Sequence, residues 1–472
     1  MNYDAVIVGS GPNGLAAAIT LARAGRSVLV AEAGSTIGGG CRSAELTLPG
    51  FIHDICSAVH PMGYASPFFR SLPLGEHRLE WIDPEAALAH PLDSGDAVLL
   101  ERSLDVTADG LGRDARAYRE LIGPLVRDWD SLLDDFLLPL HFPRHILPFT
   151  RFGLKSLHSV RGIAGAAFAG ERARAFFAGT GAHSILPVNR RGGAAYGLLL
   201  MAAGHVTGWP IAKGGSQAII DALASYFTSL GGEVRTGLTV DSLSALPEAR
   251  MYLLDTAPSQ AATIAGDRLP DSYQKRLLAH RHGPGIFKID WALDGPVPWK
   301  DARCLKAATV HVGGTFDEIA EAEDAIWKDR HPEKPLVLLA QQSLFDAARC
   351  PPGRQSAWAY CHVPNGSTFD MTAAVEAQVE RFAPGFRDRI IARKTMNTAA
   401  MENYNANYVG GDIAGGLQNP FRLFARPLGR WRPYRTPAKG VYICSSSMPP
   451  GSGVHGMCGH LAAKRALQDF PD

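Results

Sequence analysis

The chain has 472 residues, long enough for two or three domains, each with its own core. Its 47 Lys and Arg nearly balance 46 Asp and Glu, and the net charge of +1 gives no bulk attraction to nucleic acid or an anionic surface. The seven cysteines show neither a C-x-x-C pair nor zinc spacing, so they read as buried thiols of a reducing cytoplasm rather than a disulfide framework or a metal site. The first apolar run is itself a strand, and no long apolar stretch is free of breakers, so neither a leader peptide nor a spanning helix is expected.

Asp4–Val8 predicts a strand running into Gly9-Ser10-Gly11-Pro12-Asn13-Gly14. In such a G-x-G-x-x-G turn Gly9 makes the tight bend, Gly11 lets backbone approach a pyrophosphate, and Gly14 lets the next helix pack on the strand. That helix opens near Pro12, aims its N–H groups and positive dipole end at phosphates, and carries Leu15, Ala18, Ile19 and Ala22 on one face. Gly25 ends it, and Ser27–Val30 reads as a second parallel strand. Glu32, just beyond, stands where a carboxylate accepts from an adenosine ribose and disfavours the 2′-phosphate of NADP. Gly38-Gly39-Gly40-Cys41-Arg42 then returns toward the phosphates, with Arg42 as a charge-assisted donor.

Leu79–Asp83 and Ala97–Glu101 are predicted strands. Apolar residues from Tyr118 to Phe136 keep three- and four-residue spacing and predict one long helix. Leu137–Arg161 is apolar, proline-broken and basic. It reads either as a substrate-entrance lid or peripheral membrane contact, or as a helical subdomain packed on its neighbours. Past Ala203, a helix carrying Ile219, Ile220, Leu223 and Phe227 is stopped by Gly231-Gly232, and Glu233–Thr236, Thr239-Val240 and Met251–Leu254 follow as strands. Val240 is placed to lie against the adenine of a dinucleotide held at the first strand.

From Gly285 the pattern turns strand-rich: Ile286–Trp291, Ala308–Val312, Leu336–Gln341 and Ala357–Val363 predict an antiparallel sheet, and Met371–Phe382 a helix. Trp209, Phe287, Trp291, Trp358 and Tyr360 are available there for a pocket wall or for plain core. Val441–Cys444 predicts a last strand, leading through Pro450-Gly451-Ser452-Gly453-Val454-His455-Gly456 into a final helix. That turn sets bare backbone at Gly451, Gly453, Val454 and Gly456 beside a helix N-terminus, which suits the negative charge of a reduced flavin.

The two turns together point to FAD. The expected class is α/β: a Rossmann-like FAD-binding domain in three stretches (1–75, 203–265 and 426–472). An α+β substrate domain containing the antiparallel sheet is inserted as 76–202 and 266–425. Candidate general bases are His455, beside the second turn, and His60, after Cys56–Val59, because an ordinary imidazole titrates near neutrality.

The order GSGPNG, acidic strand end, GGGCR, PGF and C-terminal GVYICSSSMPPGSGVHGMCGHLAAKRAL resembles the phytoene-desaturase-related FAD oxidoreductases. Within them it is most similar to the branch named for a pyridine nucleotide-disulphide oxidoreductase domain. GWPIAKGGSQAI (208–219), WALDGPVPW (291–299), AYCHVP (359–364) and NYVGGDIAGG (407–416) resemble that branch too, so the likeness covers nearly the whole chain. It implies a fold shared with amine oxidases and Rab GDP-dissociation inhibitors, and an extended FAD. The FAD-binding domain would be of the amine oxidase/phytoene desaturase type, with Gly9, Gly11, Gly14, Glu32 and Arg42 holding the ADP half and Gly451, Gly453, Val454 and Gly456 against the flavin; Pro12, Asn13, Gly39, Gly40 and Val240 are further cofactor-binding candidates. The branch's name suggests a disulfide and a pyridine nucleotide, yet the chain has no C-x-x-C and no second interior G-x-G-x-x-G.

The activity implied is dehydrogenation or desaturation of a hydrophobic or alicyclic small molecule, with oxygen or a quinone reoxidising the flavin. Two alternatives stay open: an isomerase or saturase needing reduced flavin, and a non-catalytic lipid- or partner-binding protein on the same fold. The expected location is the cytoplasm, with membrane association open, and nucleic acid is not an expected partner.

Overall fold

The computed structural model describes residues 3–139, 141–418 and 433–471. In chain order its strands are β1 (Tyr3–Val8), β2 (Val28–Ala31), β3 (Ser43–Glu45), β4 (Ile52–Asp54), β5 (Trp81–Ile82), β6 (Ala86–Pro91), β7 (Ala97–Glu101) and β8 (Ile211–Ala212). They continue as β9 (Glu233–Arg235), β10 (Ala249–Leu254), β11 (Gly285–Leu293), β12 (Ala307–Val312), β13 (Val337–Ala340), β14 (Gln355–Val363), β15 (Ile390–Met396) and β16 (Val441–Ile443). The helices framing them are α1 (Pro12–Arg23), α2 (Ala115–Arg127), α3 (Trp129–Phe136), α4 (Glu171–Gly181), α5 (Ala194–Val206), α6 (Gln217–Ser229), α7 (Phe316–Ile326), α8 (Thr372–Phe382) and α9 (Met457–Asp469).

Strands from three distant stretches of chain meet in a five-stranded sheet of order β16-β10-β1-β2-β9, parallel throughout. A parallel sheet is covered on both faces, which is why Ala5–Val8, Val28–Ala31 and Met251–Leu254 are buried without alternation. On one face α1 and α9 cross closely. A Cβ on Gly459 would stand 1.7 Å from the Asn13 carbonyl oxygen, so only glycine permits that approach. Gly25, at φ 76°, closes α1 in the left-handed conformation.

The second sheet has seven strands in the order β15-β11-β14-β13-β12-β6-β7. It is antiparallel except for the β12–β6 pair. Side chains alternate between its faces. One face packs Phe287, Trp291, Val310, Leu339 and Cys361 against Val375 and Phe382 of α8. The other carries Lys288, Asp290, Thr309, His311, Leu338, Trp358, Tyr360 and His362, brought into line by strand register. Between the two sheets Asp54 of β4 accepts from the Ser216 N–H, just before α6, at 2.7 Å and from Arg349 at 2.7 Å, all three buried.

Three of the predicted elements differ from the sequence expectation, and β6 and β15 of the second sheet are not predicted at all. The long helix breaks at Asp128 into α2 and α3, because Pro124 inside α2 has no N–H to give the preceding turn. Leu79–Asp83 narrows to β5, which pairs only with β8. Thr239-Val240 forms no strand. The chain there is tied to the end of β2 by the Gly237 and Leu238 N–H groups, which donate to the Gly34 and Glu32 carbonyls. The domain boundary drawn at 425/426 lies outside the described residues. Among those described, no helix is long and apolar enough to cross a membrane.

Candidate functional site

One cavity of about 850 Å³ runs from the β1–α1 turn to the polar face of the seven-stranded sheet. At its first end Gly9, Gly11, Pro12, Asn13, Gly39 and Gly40 form the wall, and Val240 lies opposite with Gln260 and Thr263. Gly14 is set behind them. A Cβ there would meet the Gly9 carbonyl oxygen at 2.1 Å, which is the helix–strand closeness its position in the turn implied. Gly11 at the N-cap gives α1 no side-chain cap and no acid lies in its own first turn; the Gly14 N–H is taken by Asp255, and the rest of the dipole end is left to the cavity. The Asn13 side-chain oxygen is buried on the same wall without a partner among the described residues. Bare glycines, a helix N-terminus open to the cavity and an orphaned polar atom fit an extended dinucleotide with its pyrophosphate at α1.

Glu32 reaches this wall, but its acceptor positions are already engaged. Oε2 takes the Ser10 N–H (2.9 Å) and hydroxyl (2.5 Å), and Oε1 takes the Gly34 N–H (2.8 Å) and Arg42 (3.1 Å). Arg42, expected on a phosphate, instead pairs with Glu32 and lies over the Tyr404 ring at 5.4 Å. Sequence reasoning missed Asp255. It follows β10 directly, at the carboxyl end of a parallel strand where ligands of such sheets bind, and that position was the available signal. Its Oδ2 accepts the Gly14 N–H at 2.8 Å, and burial, with Glu32 nearby, pushes its carboxyl up to about 7.

At the second turn Gly453, Val454 and His455 face the cavity, together with Pro450 and Ser452. Gly451 and Gly456 do not reach the wall. The Gly451 carbonyl accepts from Cys458, and Gly456, at φ 68°, packs on Phe69 and Ala16 ahead of α9. The expectation that His455 and His60 titrate near neutrality is corrected, since burial lowers both to about 4. His455 accepts the Met457 N–H at Nδ1 (3.1 Å), so its lone pair is spent and its proton sits on Nε2. His60 bonds Ser216 at 2.9 Å and stays behind the wall that its neighbours Val59, Pro61 and Met62 form.

The far end is apolar and aromatic. Trp358, Tyr360, Leu338 and Thr309 come from the sheet, Leu199 and Leu200 from α5, and Trp209, His183 and Ile185 from the connections around it. Phe287 and Trp291, two of the aromatics available to a pocket, belong instead to the opposite face of the same sheet. His183 is the polar group here that the sequence did not disclose. It follows α4, and its ring bonds His311 of β12 at 2.9 Å. Phe142 (80% exposed) and Leu147 (70%) stand in solvent on the segment read as lid, membrane contact or packed subdomain.

Residues 7–72 match the model of the NAD(P)-binding Rossmann-like domain. The chain is similar to mouse pyridine nucleotide-disulfide oxidoreductase domain-containing protein 2, 26% identical across 99% of this chain and 94% of that one. It is also 26% identical to the neurosporene-forming phytoene desaturase of Rhodobacter capsulatus, over 55% of this chain and 53% of that protein. Cyclohexylamine oxidase from Brevibacterium oxydans superposes on the whole chain with a TM-score of 0.60 at 16% identity, all of that chain being covered, and shares the fold. The chain is therefore a homologue of pyridine nucleotide-disulfide oxidoreductase domain-containing protein 2 across 99% of the sequence and of phytoene desaturase across 55% of it, and shares its fold with an amine oxidase.

Proposed function

We propose that the protein is an FAD-dependent oxidoreductase that takes a hydride from a C–H bond of a hydrophobic or alicyclic small molecule, with oxygen or a quinone as final acceptor. One observation carries the reading: a single cavity joins the glycine-built dinucleotide end to an apolar, aromatic end. Gly9, Gly11 and the N-terminus of α1 would hold the pyrophosphate, Val240 the adenine, and Gly453 and Val454 the ring system. When bound, FAD supplies the hydride acceptor. Leu338, Leu199, Leu200, Trp358 and Tyr360 exclude water from the reacting carbon and bind the substrate by apolar contact. His455 holds the second turn in place through the Met457 N–H and keeps its own proton on Nε2, so it is not the group that receives the substrate proton. The entrance offered by this reading is the exposed apolar pair Phe142 and Leu147, which follow the wall residues Phe136 and Leu137 in the chain, a surface suited to collecting hydrophobic molecules, including from a membrane.

The test is an absorption spectrum of the purified protein, followed by acid release of the chromophore. Flavin bands with free FAD in the supernatant support the reading, and anaerobic bleaching then separates substrate oxidation from an isomerase or saturase. A colourless protein that stays colourless with added FAD overturns it in favour of a binding protein on the same fold.

A further inference from the structure

A run of histidines starts at the apolar end of the cavity and leads away from it. His183 is on the wall. Its Nε2 bonds Nε2 of His311, and no hydrogen bond to its Nδ1 is found among the described residues. His311 is fully buried, and its own Nδ1 also lacks a partner. Beyond it His90, also buried, bonds the Gly314 carbonyl through Nε2 at 2.8 Å, leaving a third unpartnered Nδ1.

Hydrogen-bond logic fixes the protons. A carbonyl only accepts, so His90 carries its hydrogen on Nε2 and its Nδ1 is bare. His311 has one proton and two nitrogens. On Nδ1 it would be a buried N–H with nothing to receive it, and orphaned buried donors are rarer than orphaned acceptors. The Nδ1 atoms of His311 and His90 both crowd Gly179, where a Cβ would lie 3.0 and 3.3 Å from them, and no hydrogen bond joins them. The His311 proton therefore sits on Nε2 and is donated to Nε2 of His183. That leaves His183, a wall residue of the cavity, protonated on Nδ1, the nitrogen not engaged by His311. Burial and the nearby His362 hold the His183 ring neutral, its pKa lowered to about 3.

We propose that His183 donates a hydrogen bond from Nδ1 to a neutral oxygen of the substrate, a carbonyl above all, and that His311 is the positioning residue that fixes this tautomer. The proposal rests on the preceding reading only in taking this end of the cavity as the substrate end. The carboxylates on the wall, Glu32, Asp241 and Asp255, all belong to the dinucleotide end, so an ammonium group finds no counter-ion beside His183 among the described residues. A pure hydrocarbon leaves the N–H unpaired in an apolar enclosure. An oxygen on an otherwise apolar skeleton satisfies it.

Carvone and limonene share one ring skeleton and differ by a ring carbonyl, which makes them the probes. In calorimetric titrations of the protein as isolated, carvone is expected to bind about tenfold tighter than limonene, the worth of one hydrogen bond. His183→Phe is expected to erase or reverse that preference. Independently of any variant, nitrogen-15 NMR of histidine-labelled protein should show the His183 proton on Nδ1, and His311→Leu should release it to both nitrogens. Equal affinities in the wild type, uptake of neither probe, a preference that survives His183→Phe, or a proton on Nε2 overturns the proposal. A protein without flavin that still prefers carvone through His183 would end the oxidoreductase reading alone. A flavoprotein blind to the carbonyl would end this one alone.

Discussion

At the dinucleotide end, the groups that face the cavity are largely main chain: Gly9, Gly11, Gly39, Gly40 and the first turn of α1. At the sheet end they are side chains: Trp358, Tyr360, Leu338, Thr309 and His183. The first end offers one shape, set by where a Cβ cannot go. The second keeps the same backbone whatever the residues are, and its chemistry depends on which ones alternate onto that face. The contrast extends behind the walls. The glycine loop is held by backbone hydrogen bonds to Glu32 and Asp255. The sheet is underlaid by a lysine and an aspartate, Lys288 and Asp290, each fully buried and paired with the other.

The largest effect is expected from breaking that pair. Lys288→Met leaves Asp290 without its cation in a site that water does not reach, and truncating one member of a buried pair costs about 3–5 kcal/mol. Burial already pushes the Asp290 carboxyl up to about 6 against the pull of Lys288. Its folded pKa lies above the ordinary value of 3.8, so stability from this group is full below about 4 and lost as pH rises through 6. Removing Lys288 raises the carboxyl further. Urea denaturation should therefore show a deficit that is greatest at pH 8 and shrinks toward pH 5. Lys288→Met combined with Asp290→Leu should recover most of it, because an apolar pair replaces an ionic one at little cost. A single variant as stable as wild type at pH 8 would mean that the sheet end does not depend on its buried charges.

The matching disruption at the other end is Gly14→Ala. The added Cβ falls 2.1 Å from the Gly9 carbonyl oxygen and 3.1 Å from Asp255 Oδ2, and the first of these is backbone that cannot swing aside. Overpacking of this kind costs about 3 kcal/mol. It should also strip flavin from the protein, read as the flavin-to-protein absorbance ratio. Gly153→Ala, where a Cβ meets nothing within 4 Å, is the control and should leave that ratio unchanged.

This contrast also explains what the sequence could disclose. The β1–α1 turn was legible because a glycine is specified by sterics that hold wherever the motif occurs, and the strand before it is a buried apolar run. Of the second sheet, β7, β11, β12, β13 and β14 were legible as strands while β6 and β15 were not, and nothing local told which face of each would meet the cavity. Trp291 and Trp358 looked equivalent in the sequence. Register sends one into the core with α8 and the other to the wall. His183 was hidden for the same reason: its role comes from His311, 128 residues away, and no local spacing encodes that pairing. The two histidines that the sequence did single out, His60 and His455, are buried, His60 bonded to Ser216 and His455 to the Met457 N–H two residues on.

The smallest effect expected is the one that joins the two kinds of wall, because Asp255 is a side chain placed among backbone. It sits under Gly11, where a Cβ would come within 2.9 Å of its Oδ2, beside the site for two phosphates. With its carboxyl raised to about 7 by burial and by Glu32, Asp255 is neutral in mildly acidic solution and ionises as pH climbs past neutrality. A carboxylate there repels a pyrophosphate, whereas the neutral acid still accepts the Gly14 N–H through Oδ2. FAD affinity should thus be level below about pH 7 and fall about tenfold by pH 8, as the bound form comes to require a proton that the free form has lost. Asp255→Asn keeps an oxygen for Gly14 and removes the titration, so its affinity should stay level across the same range. Equilibrium dialysis of FAD at a series of pH values distinguishes the two. A wild-type affinity that is flat, or a fall that persists in Asp255→Asn, would mean that the dinucleotide end is read by backbone alone and that Asp255 only supports the turn.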